Sequence, residues 1–180
     1  EVCYAGFYPI LSAGFNLGQR ISYSGGLFDE LTTETWNETS FSLGANLPLD
    51  YSSSVFNRKL NLGLSGAYTY ISDKTTVEDY QIGNGGFVPF SYEIAYQNYQ
   101  TPAVRDVKPT AGYTVKANFK HTPLGGDYQS QMYSFQGNYY LPGLAKHHSL
   151  MLNAKVELQN PDNYRFASLV PFAKGYDYIY

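Results

Sequence analysis

The chain has 180 residues and a net charge of −3 at pH 7, and no basic stripe runs along it, which argues against nucleic-acid binding. Charged residues make up 15% and aromatic residues 17% of the chain, with nineteen Tyr and seventeen Gly, a composition typical of a β-protein rather than of a helical enzyme. The single cysteine, Cys3, excludes an internal disulfide and a zinc cluster built from thiols.

The N-terminal half of the chain alternates between apolar and polar residues in three segments. In the third segment Leu60 and Leu62 fall on one parity, while Asn61 and Gly63 fall on the other. Residues two apart in a strand share a face, so this pattern predicts strands with one apolar and one polar face. The predicted strands are Pro9 to Arg20, Thr35 to Leu49 and Leu60 to Tyr70, with polar loops at Ser22 to Thr33 and Ser72 to about Gly86.

The C-terminal half continues the alternation and ends in a hairpin. Pro142 and Gly143 interrupt the pattern, and a short polar link through His147 and His148 predicts a tight antiparallel reversal. The predicted strands here are Phe90 to Tyr96, Ala111 to His121, Tyr133 to Leu141 and Ser149 to Gln159, which makes about seven long strands in all.

Strand length and side-chain polarity favour a transmembrane β-barrel over a packed protein core. Most segments reach the roughly 9 to 11 residues that cross a bilayer at a tilt, aromatic residues cluster towards strand ends, and ionisable groups lie on the polar face, as in a wet lumen. The side chains predicted to face lipid are Phe41, Leu43, Leu60, Leu62, Leu64, Val115, Phe119, Leu150, Leu152, Val156 and Leu158, and those predicted to face the lumen are Glu38, Asn61, Lys116, Asn118, Lys120, Lys155 and Glu157.

Two other interpretations fit the same alternation. A soluble, Tyr-rich β-sandwich would bind glycan or protein through Tyr92, Tyr96 and Tyr99. A passive pore would use Lys116 and Lys155 as lining residues. About seven strands cannot close as an even-numbered bacterial barrel, so the barrel interpretation predicts that residues 1–180 are a section of one barrel domain, incomplete at both ends.

Short motifs in this chain resemble the bacterial surface-antigen barrels of the BamA/TamA type, and the match is closest to variants carried behind a TolB-like β-propeller. The motifs are Tyr139 to Leu144 with His147 and His148, Phe172 to Tyr176, Phe7 to Pro9, and Arg105 to Pro109.

The resemblance implies an antiparallel, up-and-down barrel of about sixteen strands in the bacterial outer membrane. In that family an Arg-Gly-Phe or Arg-Gly-Tyr loop folds back onto the inner wall, and Lys174, Gly175 and Tyr176 look like this motif with Lys in place of Arg. The function implied is assembly or translocation of outer-membrane proteins, or anchoring of an envelope complex. The implied partners are outer-membrane lipid and other envelope proteins.

No pattern in the chain indicates catalysis, a cofactor or a metal site. His147 and His148 are adjacent in a predicted turn, so both cannot point at one metal from regular backbone. Asp73, Glu78 and Asp79 lie in a predicted loop without the ligand spacing of a known calcium loop. No nucleophile elbow, P-loop or dinucleotide fingerprint occurs. We therefore expect a protein that is not an enzyme.

Overall fold

The computed structural model describes residues 2–4, 8–24, 32–75, 84–102, 108–145 and 147–169. These ranges are all-β, and none of them contains a helix long and apolar enough to cross a membrane. The strands are β1 Val2–Tyr4, β2 Ile10–Ser24, β3 Thr32–Asp50, β4 Phe56–Thr75, β5 Gly85–Phe87, β6 Phe90–Gln100, β7 Gly112–His121, β8 Ser130–Pro142 and β9 Ser149–Pro161.

All the strands belong to one antiparallel sheet with up-and-down order. The order is β1-β2-β3-β4-β6-β7-β8-β9, and the short β5 pairs with β4 beside this path. The seven predicted strands are confirmed as β2, β3, β4, β6, β7, β8 and β9. Within the described residues β1 and β9 are the edges and do not pair with each other, so the sheet is not closed.

The two predicted loops in the N-terminal half are partly wrong. β2 continues to Ser24, which pairs with Thr32 at the start of β3, and β4 continues to Thr75 before β5 begins at Gly85. The sequence there lacks the regular apolar alternation of the strand centres, but backbone hydrogen bonds between neighbouring strands do not need such alternation. Strands β2 and β4 therefore extend beyond the residues that alternate in hydrophobicity.

The register gives the sheet two chemically opposite faces, because directly paired residues point to the same side. On one side Phe41 lies between Phe15 of β2 and Tyr68 of β4. The preceding residue, Ser40, points to the other side, where it lies opposite Asn16. We call these sides the apolar face and the polar face.

The buried apolar side chains lie on the polar face or on segments that cover it. Ile71 is 1% exposed, Met132 is 1% exposed and Phe166 is 3% exposed. The complete cluster of buried apolar residues in the described part of the chain is Trp36, Ile71, Phe87, Tyr128, Met132, Tyr164 and Phe166.

The polar face is concave. Arg20 of β2 contacts Tyr164, which follows β9 by only a few residues. Six interstrand steps separate β2 from β9, which would be roughly 29 Å on a flat sheet. The three residues from Pro161 to Tyr164 span at most roughly 11 Å. A sheet that curls towards its polar side explains this contact.

Candidate functional site on the polar face

Residues 162–169 follow β9 and fold back across the polar face; we call them the return segment. At its start the side chain of Asn163 accepts a hydrogen bond from the Gln129 backbone at 2.6 Å and donates one to the Asp127 carbonyl at 2.8 Å. At its end the Leu169 backbone donates to Glu157 at 2.9 Å. Both ends of the segment are therefore held to the sheet and its loops.

Glu38 is the centre of a hydrogen-bonded network that joins β2, β3 and the return segment. Its Oε1 atom accepts hydrogen bonds from Arg20 Nη1 at 3.1 Å, Trp36 Nε1 at 2.9 Å and Tyr164 Oη at 2.7 Å. The side chains of Arg20 and Glu38 are only 28% and 15% exposed, so their ion pair is shielded from water and stronger than a surface pair.

Arg20 also contacts the Trp36 ring of β3 and residues of the return segment. Its guanidinium lies 5.4 Å from the Trp36 ring centre and 5.5 Å from that of Tyr164, which are cation–π distances. Its Nη1 atom also donates to Tyr164 Oη, and Nη2 donates to the Arg165 carbonyl at 3.2 Å. One side chain of β2 thus holds the middle of the return segment.

Burial raises the pKa of Tyr164 above its ordinary value, and the negative charge of Glu38 raises the pKa further. Both effects disfavour the phenolate. The Tyr164 hydroxyl therefore keeps its proton at physiological pH and remains the donor to Glu38.

Aromatic rings pack the return segment against β5 and against the loop between β7 and β8. The Phe87 ring centre lies 4.6 Å from that of Tyr164 and 5.7 Å from that of Tyr128. This loop is joined to β5 through Gly126, which bridges to Phe87 and has a φ of +122°. A Cβ atom at Gly126 would lie 2.7 Å from the Gly86 carbonyl oxygen, so this close approach requires glycine.

The residues predicted to face a lumen share the polar face. Lys116 pairs with Ala95 on one side and Gln136 on the other, and Lys155 lies beyond Gln136. Lys116 also forms an ion pair with Glu93 at 2.9 Å. The remaining predicted residues on this face are Glu38, Asn61, Asn118, Lys120 and Glu157.

The residues predicted to face lipid share the apolar face, and many of them are exposed. Phe41, Leu64 and Leu158 keep 50%, 48% and 65% of their surface accessible. The other predicted residues on this face are Leu43, Leu60, Leu62, Val115, Phe119, Leu150, Leu152 and Val156.

Nine aromatic rings on the apolar face are also exposed. At about half exposure they present roughly 700 Å² of surface, whereas the largest apolar patch of a soluble monomer is about 300–600 Å² in total. The aliphatic side chains enlarge the patch further. The nine are Phe15, Phe41, Tyr68, Tyr70, Tyr92, Tyr113, Tyr133, Phe135 and Tyr139.

The structure separates the three tyrosines of the glycan-binding interpretation. Tyr92 pairs with Leu64 and Tyr96 pairs with Leu60, which places both on the apolar face. Tyr99 has the opposite parity and lies against Tyr140, with ring centres 6.3 Å apart. The three rings do not form one platform.

Two further predictions concern the inward-folding loop motif and metal binding. Lys174, Gly175 and Tyr176 lie outside the described residues. Among the residues that are described, no three His, Cys, Asp or Glu side chains come together as metal ligands.

Sequence reasoning missed the two aromatic residues that anchor the return segment. Tyr164 and Phe166 are 8% and 3% exposed, yet they follow Pro161 in a stretch where alternation fades. The only signal available was an aromatic pair two residues apart in an otherwise polar stretch. Two such rings would share a side if the segment were a strand, but the spacing does not indicate which surface they contact.

A scan against protein-family models found no match, and searches of curated proteins and of solved structures found none either.

Proposed function

We propose that this chain is a section of an outer-membrane β-barrel of the bacterial surface-antigen type. Its apolar face contacts lipid and its polar face lines the lumen. The protein acts in assembly or translocation of outer-membrane proteins, or anchors an envelope complex, and its partners are outer-membrane lipid and other envelope proteins.

The observation that carries this proposal is the position of the core. The described part of the chain buries its apolar side chains on the concave, polar side, whereas the apolar face packs against no second sheet. Lipid is as apolar as these side chains, so it would remove the cost of leaving them in water.

Strand length supports the same proposal. The shortest of the seven long strands, β7, has 10 residues and the longest, β4, has 20 residues. A tilted strand needs roughly 9–11 residues to cross the apolar part of a bilayer, so every one of the seven is long enough.

Two rows of rings on the apolar face also support lipid contact. One row contains Phe119 stacked on Tyr133 at 4.7 Å, and the other contains the cross-strand pair Tyr113 and Tyr139. Within β7 and β8 the rows are six residues apart, roughly 20 Å of strand. Outer-membrane barrels place aromatic rings at both rims of an apolar band about 25 Å tall.

The return segment supports the surface-antigen part of the proposal. The resemblance makes β9 the strand that leads to an inward-folding loop, and residues 164–169 do fold onto the polar side after β9. The inward fold partly fills the concave side, and it does not favour a wide passive pore.

The edges of the sheet require additional strands in this proposal. Each unpaired backbone group in lipid would cost several kcal/mol. Since β1 and β9 do not pair with each other, we propose that further strands complete the barrel wall.

Quenching by brominated lipid tests which face contacts acyl chains. In a Trp36→Phe background, Leu64→Trp places a reporter on the apolar face, and Ser65→Trp places the matched control on the polar face. In vesicles of brominated phosphatidylcholine, we expect strong quenching at position 64 and weak quenching at position 65.

Two results would contradict lipid contact. One is equal quenching at the two positions. The other is a protein that stays in solution without detergent and shows no quenching at either position.

The cellular role needs a separate test. Bacteria depleted of the protein should contain less folded outer-membrane protein, measured as the heat-modifiable fraction on gels of isolated envelopes. Unchanged levels, together with loss of a co-purifying envelope protein, would favour the anchoring role over the assembly role.

A further inference from the structure

A cleft of about 560 Å³ lies between the polar face and the return segment. Its walls come from β2, β3, β4, β6 and β7, and Tyr164 and Phe166 of the return segment border it. Its volume is within the range of about 300–1,000 Å³ that small-molecule sites occupy.

By residue type, basic side chains outnumber acidic ones in the lining of the cleft. The basic residues are Arg20 and Lys120, and the acidic residue is Glu38. Arg20 and Glu38 form an ion pair at 3.1 Å, whereas Lys120 takes part in none of the ion pairs formed among the described residues. Lys120 Nζ instead lies 4.5 Å from the ring centre of Phe166.

Three serine hydroxyls of the cleft have no hydrogen-bond partner within the described part of the chain. Ser40, Ser65 and Ser91 line the cleft, and their side chains make no hydrogen bond to any other residue that the structure describes. Elsewhere on the same face such groups pair across strands, as Asn118 does with Ser134 at 3.1 Å. As far as the described residues show, the hydroxyls of Ser40, Ser65 and Ser91 are thus available as donors and acceptors, whereas Ser42 of the same lining bonds to Gly14.

We propose that this cleft binds a small hydroxylated anion, namely a sugar that carries a carboxylate or a phosphate. Lys120 would pair with the anionic group, because hydrogen bonds between ionised partners are the strongest that such a site can offer. The serine hydroxyls would bond to the sugar hydroxyls. Phe87 and Phe166 also line the cleft, but at 2% and 3% exposure they shape its wall and offer the sugar little surface.

Fluorescence of Trp36 gives a direct test. Trp36 is the single tryptophan of the chain, and its indole donates to Glu38, which lines the cleft. The purified protein is titrated at constant ionic strength with glucuronate, with glucose 6-phosphate and with glucose. We expect a saturable change in fluorescence with at least one of the two anions. The dissociation constant for that anion should be at least tenfold lower than the one for glucose.

Two lysine variants separate a built site from general attraction of anions. Lys120→Met should weaken the binding of the anionic sugar roughly tenfold to hundredfold, as expected when a hydrogen bond to a charged group is lost. Lys116→Met removes a charge from the same face outside the cleft and should change affinity less than twofold.

Lys120→Arg and Ser91→Ala keep the proposal testable if Lys120→Met does not fold. The first should retain binding and the second should weaken it several-fold. Equal binding of glucose and glucuronate, no saturable response to either anion, or equal losses in the Lys116 and Lys120 variants would each overturn the proposal. Since the cleft lies on the polar face, these results are independent of whether lipid covers the apolar face.

Discussion

The two faces of this sheet differ in whether other parts of the protein cover their side chains. Phe166 lies over the polar face and is 3% exposed, whereas Phe41 on the apolar face is 50% exposed. In a soluble one-layer protein the apolar face would be expected to carry the core. The reversal shows that hydrophobicity alone does not identify the protein-packed side of a sheet.

The packing on the polar side depends on a few specific contacts. The Glu38 network and the aromatic cluster of Tyr164, Phe166 and Phe87 hold the return segment. The apolar side has no comparable cover among the described residues. Substitutions should therefore act through protein packing on one face and through the surrounding medium on the other.

Phe166→Ala should have the largest effect, because it removes a ring that protein buries almost completely. We expect a loss of about 3–5 kcal/mol in the free energy of unfolding, measured by urea titration in lipid vesicles. Phe41→Ala is the matched control on the apolar face and should cost only about 1.5–3 kcal/mol, the value of transferring the ring from lipid to water. Equal losses of unfolding free energy in the two variants would show that the two faces are not packed differently.

Phe41→Lys should be the next most harmful change. A lysine on the lipid side of a barrel costs about 2–4 kcal/mol at the bilayer midplane. The neighbouring Ser40→Lys points into the cleft and should cost less than about 1 kcal/mol. The same unfolding titration compares the two variants. A harmless Phe41→Lys would show that water, not lipid, surrounds the apolar face.

Glu38→Ala tests the hydrogen-bonded centre of the polar side. It leaves the partly buried donors of Arg20, Trp36 and Tyr164 without their common acceptor, which should cost about 1–3 kcal/mol. We also expect faster proteolysis within residues 162–169, located by mass spectrometry of the fragments. Unchanged protease resistance would mean that the aromatic contacts alone hold the return segment.

Lys116→Met should have the smallest effect on stability. The ion pair of Lys116 with Glu93 is well exposed, with 44% and 33% of the two side chains accessible. Exposed pairs contribute about 0–1 kcal/mol and are screened by salt. The loss should disappear in high salt, and a larger, salt-independent loss would indicate that Lys116 has a buried partner when the barrel wall is complete.

The sequence predicted the long strands and their two faces because both depend on a local rule. Side chains alternate every two residues along a strand, so Leu60, Leu62 and Leu64 must share a side whatever their surroundings. The hairpin between β8 and β9 was equally local, since Pro142 and Gly143 end one strand, and the Gly143 backbone donates to the His148 carbonyl at 2.9 Å.

Only the tertiary structure decided where the core lies and which residues form the candidate site. Arg20 and Tyr164 are 144 residues apart in the chain, and no periodic pattern relates them. Their contact depends on the curl of the whole sheet and on the path of the return segment. Alternation determines on which side of its strand each side chain lies. Contacts between distant parts of the chain determine what covers that side.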